Sequence, residues 1–369
     1  MQQRSIVYTT SCCGLRHVVE RVTDMATKMI LTGDVNLMNV SDPVVPFALV
    51  RDEFRAADIV FCNLECCLYR RPGGHAVEHE GFFAGPRVAG EALQLAGVQA
   101  VGIANNVNYG EAAIMASVAR LDELGISHTG AGANRALACA PTILTRDGVR
   151  FGFVQRSSVY WPTNHEAGED TPGIAVIRGH TAYRVPMHGS RPPANRPGVP
   201  PEIVTWADPA YLQWLDEDIA ALRGKADVVV ASFHWGLHKE VLQYMREIAH
   251  RAIDAGADLV IGHGPHYSLP IEVYKGIPIF YGLGSFSFHT GHGGRAHGDW
   301  LGMMVRVSWD GARIARAAFQ FVRHDRHNRT VLRTLGDEGA AFDEIAQHSA
   351  GLGAKFTARG DEIEVDLRA

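Results

Sequence analysis

The sequence lacks the features that would point to a membrane or to a nucleic acid. No apolar run approaches the roughly 20 residues of a membrane-spanning helix, and no continuous hydrophobic segment follows Arg4 as it would in a secretory signal. The net charge is −5, and no dense Lys/Arg run with interleaved aromatic residues occurs. We therefore expect a protein with no membrane anchor and no nucleic-acid partner.

The cysteine spacing excludes two further classes of protein. The cysteines show neither the pattern of a disulfide framework nor a CxxC metal motif. Buried, reduced thiols are the expected state, and this state indicates a cytoplasmic protein. The cysteines are Cys12, Cys13, Cys62, Cys66, Cys67 and Cys139.

The domain organisation follows from composition along the 369 residues, of which 46% are hydrophobic and 20% charged. Residues 1–24 are expected to be a poorly packed or disordered N-terminal extension, because Met25 begins a segment that leads directly into an apolar strand. Residues 25–330 are expected to form the main domain, and residues 331–369 a C-terminal helix and strand packed on it. Within the main domain, residues 157–205 are rich in proline, glycine and polar residues and predict a surface excursion that acts as a lid or, alternatively, has no role.

Short β-branched runs alternate with amphipathic segments from Met29 onward. This alternation predicts an α/β fold, a mixed sheet layered with helices. Helices are predicted to end at Gly97 and Gly125, and a hairpin is predicted around Asp310-Gly311. The predicted strands include residues 29–32, 57–62, 100–103, 227–231 and 257–261, and the predicted helices include residues 86–96, 112–124, 211–222 and 239–255.

Polar side chains follow the predicted strands where each strand ends. Because ligands of open α/β sheets bind beyond the carboxyl ends of the strands, we expect these side chains to converge. Carboxylates, amides and imidazoles without thiolates suit a divalent metal such as Mn, Fe or Zn, which would favour hydrolysis. The alternative is that the asparagines cap turns and that single histidines satisfy backbone groups. The residues are Asp34, Asn36, Asn63, Glu65, Asn105, Asn106, His234, His263 and His266.

Six short motifs resemble, in order and approximate spacing, those of the CapA family of poly-γ-glutamate capsule biosynthesis proteins. The resemblance extends from about Met29 to Phe288. It implies the fold of calcineurin-like metallophosphatases, a layered α/β/β/α sandwich of mixed sheets with flanking helices. The motifs are Gly33-Asp34, Asn63-Leu64-Glu65, Ala104-Asn105-Asn106, His234-Trp235-Gly236, Gly262-His263-Gly264-Pro265-His266 and Tyr281-Gly282-Leu283-Gly284-Ser285-Phe286.

The same resemblance implies a set of metal ligands, and the sequence also departs from the family at three positions. The family usually has a histidine where Val107 stands, an acidic residue where His238 stands and a second histidine where Gly264 stands. In metallophosphatases the first of these histidines donates a proton to the leaving group, so its loss lowers phosphoester cleavage by roughly a hundredfold. The implied metal ligands are Asp34, Asn106, His234, His263 and His266.

The leading hypothesis is a soluble, metal-dependent hydrolase acting on a small or peptide-like amide, lactone or ester. A second hypothesis is a metal-independent isomerase or epimerase, in which Asp34 pairs with His234 or His266 as acid and base. A third is a role in capsule assembly, as the family resemblance implies. The predicted catalytic residues are Asp34, Glu65, His234, His238 and His266, with Glu65 or His238 moving protons, and the predicted substrate contacts are Asn63, Asn105, Trp161 and His165.

Overall fold

The computed structural model describes residues 26–368, except residues 74–76, 79–80, 162–164, 186–198, 237, 297 and 299. The predicted extension at residues 1–24 therefore lies outside the described residues. The helices are α1 (Arg51–Arg55), α2 (Pro86–Ala96), α3 (Glu111–Leu124), α4 (Arg135–Ala138), α5 (Pro209–Arg223), α6 (Gln243–Ala255) and α7 (Leu335–Ala350). The strands are β1 (Thr27–Asn36), β2 (Ile59–Leu64), β3 (Cys67–Leu68), β4 (Val77–Glu78), β5 (Gly81–Ala84), β6 (Ala100–Gly102), β7 (Ser127–Thr129), β8 (Ala131–Gly132), β9 (Thr142–Arg146), β10 (Val149–Ser157), β11 (Gly173–Ile174), β12 (Gly179–Arg184), β13 (Glu202–Ala207), β14 (Val228–His234), β15 (Leu259–His263), β16 (Ile271–Tyr274), β17 (Ile277–Phe280), β18 (Ser285–Phe288), β19 (Gly302–Asp310), β20 (Arg313–His324), β21 (Thr330–Leu332), β22 (Phe356–Arg359) and β23 (Glu362–Val365).

Two mixed sheets form the centre of the fold. The first has the order β22-β23-β20-β19-β1-β2-β6-β7, with β18 paired to β1 and β21 paired to β20. The second has the order β16-β17-β15-β14-β10-β9. In the first sheet β1, β2, β6 and β7 are parallel, and in the second β10, β14, β15 and β17 are parallel. Each sheet therefore has several carboxyl strand ends on one edge, where functional side chains can gather.

Alternation of side chains along the strands sets the layers. In β1, Ile30 packs on the helix side of the first sheet, whereas Leu31 packs against the second sheet. The rings of Phe61 and Phe153, one from each sheet, stack at 5.0 Å between centroids in the core between the sheets. Helices α5 and α6 cover the outer face of the second sheet. The layered α/β/β/α arrangement of mixed sheets predicted from the sequence is thus confirmed.

The C-terminal segment differs in detail from the prediction of one helix and one final strand. Helix α7 begins after Thr334, whose side chain caps it, and Ile345 packs into the core between the sheets. Two strands follow, because β22 and β23 form a hairpin that extends the first sheet beside β20. The sequence pattern missed β22 because it is an edge strand whose side chains are largely exposed, so no apolar alternation marks it.

The prediction of a surface excursion at residues 157–205 is wrong for its first half. Ser157, His165 and Ala167 are buried, and β11 pairs with β8 inside the fold. Residues 173–177 carry the apolar side chains of Ile174, Val176 and Ile177 into the core, and this run is too short to show a clear period in the sequence. The β12–β13 hairpin is more exposed, and residues 186–198 lie outside the described residues.

Two further expectations concern compartment and thiol state. No helix in the described ranges has both the length and the apolar character that a membrane crossing requires. Cys62, Cys66, Cys67 and Cys139 are free thiols, as predicted, and Cys12 and Cys13 lie outside the described residues.

Candidate metal and catalytic site

The register of the parallel strands brings the predicted polar residues to one edge of the two sheets. In the first sheet Asp34 of β1 lies opposite Asn63 of β2. In the second sheet His234 of β14 lies opposite both Ser157 of β10 and His263 of β15. Residues that are far apart in the sequence therefore become neighbours because their strands end at the same level.

Asp34 is placed by an unusually close approach of two backbone segments. A Cβ atom on Gly33 would lie 1.9 Å from the carbonyl oxygen of Gly284, so only glycine fits there. The Asp34 N–H donates to the same oxygen at 2.8 Å. The carboxylate then accepts hydrogen bonds from Asn63 Nδ2 on Oδ1 at 2.8 Å and from the Gly264 N–H on Oδ2 at 3.3 Å. The first acidic residue of the site is thus fixed by its own strand and by two partners.

Four further side chains surround this carboxylate. His266 Nδ1 lies 3.2 Å from Asp34 Oδ2, and His263 Nδ1 lies 3.5 Å from Asp34 Oδ1. On the other side, Glu65 Oε1 lies 3.6 Å from His266 Nε2 and 3.5 Å from His234 Nε2. Single ligand atoms of Asp34, Glu65 and His266 all lie within 4.8 Å of one another, a spacing that can hold a metal ion. We call Asp34, Glu65, His234, His263 and His266 the central cluster.

His266 differs from the rest of the central cluster in exposure and in backbone conformation. Its side chain is 25% exposed, whereas the other members are at most 1% exposed, so the cluster opens to solvent at His266. Its φ is +61°, a left-handed conformation that costs a non-glycine residue of order 1 kcal/mol or more. Strain of this kind persists when surrounding contacts hold it, and it occurs often at functional sites.

Buried polar atoms without partners are concentrated in this cluster. Within the described residues, Glu65 Oε2, His234 Nε2 and both ring nitrogens of His263 are buried and accept or donate no hydrogen bond. Each unpaired buried polar atom costs roughly 1–3 kcal/mol, so several in one place call for an explanation. A cation bound between these atoms is an explanation that fits their donor types.

The charges within the cluster are strongly coupled. Burial raises the pKa of Glu65 well above its usual value, and the charge of Asp34 raises it further. Burial alone would also raise the pKa of Asp34, but the imidazoles of His263 and His266 hold it well below the usual value. Burial lowers the pKa of His234 to about 4 and also lowers that of His263. Glu65 and Asp34 outweigh burial at His266 and raise its pKa to about 9. His234 and His263 are thus neutral near pH 7, with lone pairs available.

A hydrogen bond to the Ser157 oxygen favours one of the two nitrogens of His234 as the carrier of the proton. The Ser157 hydroxyl donates to the carbonyl oxygen of Val159 at 2.6 Å, so its oxygen is left to accept. His234 Nδ1 lies 3.3 Å from that oxygen and is therefore the protonated nitrogen. The lone pair of Nε2 then points toward Glu65, which is the arrangement of a metal-ligating histidine held by a second residue.

The predicted substrate contacts Asn63 and Asn105 form a buried amide chain behind Asp34. Asn105 Nδ2 donates to Asn63 Oδ1 at 3.2 Å and to the Leu64 carbonyl oxygen at 2.9 Å. The Asn108 N–H donates to Asn105 Oδ1 at 3.0 Å, which closes the turn. Both side chains are fully buried, so they orient the site rather than meet a substrate.

Several predicted residues lie outside the cluster. His238 is exposed with a φ of +55°, so the structure does not place it where it could move a proton in the site. His165 is fully buried, accepts the Trp161 N–H on Nδ1 at 3.0 Å and lies 3.1 Å from the Asn108 carbonyl oxygen through Nε2. It therefore braces a turn, and Trp161, 38% exposed, contacts it through the backbone. Asn106, predicted as a metal ligand, is half-buried on the turn after β6, and its role as a ligand stays a prediction.

Two residues near the cluster were missed by the sequence reasoning. Gln155 and Ser157 lie at the carboxyl end of β10, and neither was among the predicted site residues. The signal was available, because polar residues at positions 155 and 157 of a buried strand point to the same face. The next strand also contributes Ser232, which contacts Gln155.

Comparisons with known proteins agree with this arrangement of motifs. A family model described as bacterial capsule synthesis protein PGA_cap matches residues 17–290. An uncharacterised protein of Sinorhizobium fredii is 29% identical over 307 residues, covering 70% of this chain and 66% of that protein. A probable polyglutamine synthesis accessory protein of Mycobacterium tuberculosis is 30% identical over 192 residues, covering 49% and 43%. The PGA biosynthesis protein CapA of Bacillus subtilis is 41% identical over 99 residues, covering 26% and 24%.

These matches bear on family membership rather than on a reaction. The chain spans about two thirds or less of the length of these relatives. A crystal structure of a novel phosphatase from Mycoplasma pneumoniae has 12% identity and a TM-score of 0.46, covering 82% of this chain and 96% of that one, a likeness too low to bear on activity. The family model, in contrast, covers the strands and motifs that build the central cluster. The chain belongs to the family of bacterial capsule synthesis proteins described as PGA_cap.

Proposed function

We propose that this protein is a divalent-metal-dependent hydrolase that acts on an amide, ester or lactone bond of a small or peptide-like substrate. The observation that carries the proposal is the set of buried, unpaired ligand atoms in the central cluster. Without a cation, His263 Nδ1 and His234 Nε2 have only carboxylate oxygens at 3.5 Å beside them, and Glu65 Oε2 and His263 Nε2 have no partner in the described structure.

The donor types of the central cluster fit Mn, Fe or Zn. Two carboxylates and three imidazoles offer oxygen and nitrogen ligands that such ions accept. His234 and His263 are neutral, as metal ligation requires, whereas His266, whose pKa is raised to about 9, would release its proton on binding a metal. Ser157 holds His234 with Nε2 directed into the cluster. When bound, the metal would polarise a substrate carbonyl and lower the pKa of a bound water.

Glu65 is the residue of this chain best placed to accept a proton during hydrolysis. Its Oε1 faces His234 and His266, while its Oε2 has no partner within the described residues. Because burial raises its pKa, this carboxylate is a stronger base than an exposed glutamate. Asp34 stays ionised beside His266 and holds that imidazole at the exposed side of the cluster.

A peptide-like substrate is supported by the names of the relatives. One is named for PGA biosynthesis and another for polyglutamine synthesis, both of which concern polymers joined by amide bonds. Phosphoester cleavage is less favoured, because Val107 stands where an imidazole acid would be needed and is itself fully buried.

The test measures hydrolysis of γ-glutamyl peptides and of carboxylic esters by purified protein before and after chelation, and after Mn²⁺, Fe²⁺ or Zn²⁺ is added back. We expect activity to disappear with chelation and to return with one of the metals. Full activity in a sample shown to be metal-free would refute the proposal.

Two other functions each have one observation in their favour. The ion pair between Asp34 and His266, at 3.2 Å, suits an acid/base isomerase or epimerase, which would incorporate solvent deuterium into its substrate without net hydrolysis. Family membership favours a role in capsule assembly, which would appear as association with the polymer or its synthetic machinery without turnover.

A further inference from the structure

A buried glutamine connects the two sheets directly behind the central cluster. Gln155 of β10, in the second sheet, is fully buried. Its Nε2 donates to Asn63 Oδ1 of the first sheet at 3.1 Å and to Ser232 Oγ at 3.2 Å. Asn63 in turn donates from Nδ2 to Asp34 Oδ1 at 2.8 Å. A continuous chain of hydrogen bonds thus runs from the second sheet to the first acidic residue of the cluster.

The direction of every bond in this chain is set by one backbone group. The Ala104 N–H donates to Gln155 Oε1 at 2.6 Å, and a backbone N–H can only donate. The Gln155 amide oxygen must therefore face Ala104, and its nitrogen must face Asn63. Asn63 Oδ1 accepts this bond and a second from Asn105, so Asn63 Nδ2 must face Asp34. The orientation of the Asp34 carboxylate is thereby tied to the rigid backbone after β6.

Two neighbouring glycines leave the space that this side chain occupies. A Cβ atom on Gly102 would lie 2.3 Å from Gln155 Cδ, and one on Gly130 would lie 3.0 Å from Gln155 Oε1. An amide buried between two sheets is costly unless all its groups are paired, and an apolar residue would fill the same volume without that demand. A fully paired amide at this position is best explained by what it orients.

We infer that Gln155 is a positioning residue for metal binding and that it acts through Asn63. By holding Asn63 Nδ2 on Asp34 Oδ1, it keeps Oδ2 turned toward His266 and the Gly264 N–H. Residues that orient a ligand in this way commonly change metal affinity by about 10- to 100-fold when replaced. The inference rests on the proposed metal-dependent function.

The experiment compares Mn²⁺ and Zn²⁺ affinity, measured by isothermal titration calorimetry, in the wild-type protein and three variants. Gln155→Met keeps the volume and removes the donors, and we expect affinity to fall by about 10- to 100-fold. Ser232→Ala removes the other acceptor of the Gln155 amide, leaves the bond to Asn63 and is the milder variant. We expect it to weaken affinity by about threefold, and it replaces Gln155→Met if that variant does not fold. Phe153→Leu is the matched control, because Phe153 lies on the same strand and is buried between the sheets, where its ring stacks on Phe61.

The unfolding free energy of each variant is measured in chelator, so that a loss of stability can be separated from a loss of affinity. The inference holds if Gln155→Met weakens metal binding while Phe153→Leu, at a similar loss of stability, does not. It is overturned if Gln155→Met binds metal as tightly as the wild type, or if Phe153→Leu weakens binding equally. If the wild-type protein binds no metal, the proposed function itself fails. If the wild type binds metal and Gln155→Met binds it equally well, only the inference about Gln155 fails.

Discussion

Replacing Glu65 by glutamine should change stability in opposite directions without and with a divalent metal. In chelator, the wild type carries a buried carboxylate oxygen that has no partner, at a cost of about 1–3 kcal/mol. A second carboxylate, that of Asp34, has a ligand atom within 4.8 Å. A neutral amide removes the charge, and its NH₂ can donate to the lone pair of His234 Nε2. We therefore expect Glu65→Gln to be about 1–2 kcal/mol more stable than the wild type in chelator.

The order of stabilities should invert when metal is added. A metal at about 1,000 times its dissociation constant stabilises the wild type by about 4 kcal/mol. If losing the Glu65 ligand weakens binding about a hundredfold, the variant gains only about 1.4 kcal/mol under the same conditions. The variant then becomes less stable than the wild type by about 1 kcal/mol, despite its advantage in chelator.

Urea unfolding followed by tryptophan fluorescence, in chelator and in Mn²⁺, measures both differences. Glu272→Gln is the matched control, because Glu272 is also a buried glutamate but is fully paired, with Tyr281 Oη donating at 2.6 Å and with His250 and Arg246 beside it. We expect this control to be destabilised equally in both buffers. A Glu65→Gln variant that is less stable than the wild type in both buffers would refute the reasoning.

Four further predictions concern single residues. Burial alone would raise the pKa of Glu272, but its hydrogen-bond donors lower it below the ordinary value of 4.5. The stability that Glu272 contributes is therefore present above that pH and lost as the pH falls through the lowered pKa. Unfolding free energies measured against pH should show this loss, and Glu272→Gln should flatten it. Ser157→Ala should weaken metal affinity by about tenfold in calorimetry, because His234 loses the partner that fixes its protonated nitrogen, and unchanged affinity would contradict this role. His165→Phe should lower the unfolding free energy by about 2 kcal/mol through the loss of two hydrogen bonds. An unchanged urea midpoint would contradict the claim that His165 stabilises this turn. His238→Ala should leave metal affinity and turnover unchanged, because the side chain is exposed outside the cluster. A hundredfold loss of turnover would show instead that His238 takes part in catalysis.

Much of the fold could be read from the sequence because its strands are buried on both faces. Runs such as Val228–Val230 and Leu259–Ile261 are continuous and apolar, and they end at polar residues. The rule that carboxyl strand ends share one edge gathers Asp34 with Asn63 in the first sheet and His234 with His263 in the second. The sequence could not show that Glu65 sits between His234 and His266, because that contact joins two different sheets.

The errors have a common physical cause. His165 is held by hydrogen bonds of its ring, and residues 173–177 form an apolar run too short to give a clear period in the sequence. His238 follows a motif in the sequence, but its loop turns the side chain out to solvent. Gln155 was overlooked although it shares a strand face with Ser157, and its role becomes clear only from its contact with Asn63 of the facing sheet. The contacts that orient this site are between sheets, whereas sequence patterns report mainly on single strands.

The most direct test of the central claim is the divalent metal content of the purified protein, measured by plasma mass spectrometry after dialysis against trace Mn²⁺ and Zn²⁺. We expect the wild-type protein to hold at least about one ion per chain. We expect this ion to be lost in an Asp34→Asn/His263→Ala double variant that remains folded. Wild-type protein that holds no divalent ion under these conditions, or a double variant that holds as much as the wild type, would contradict it.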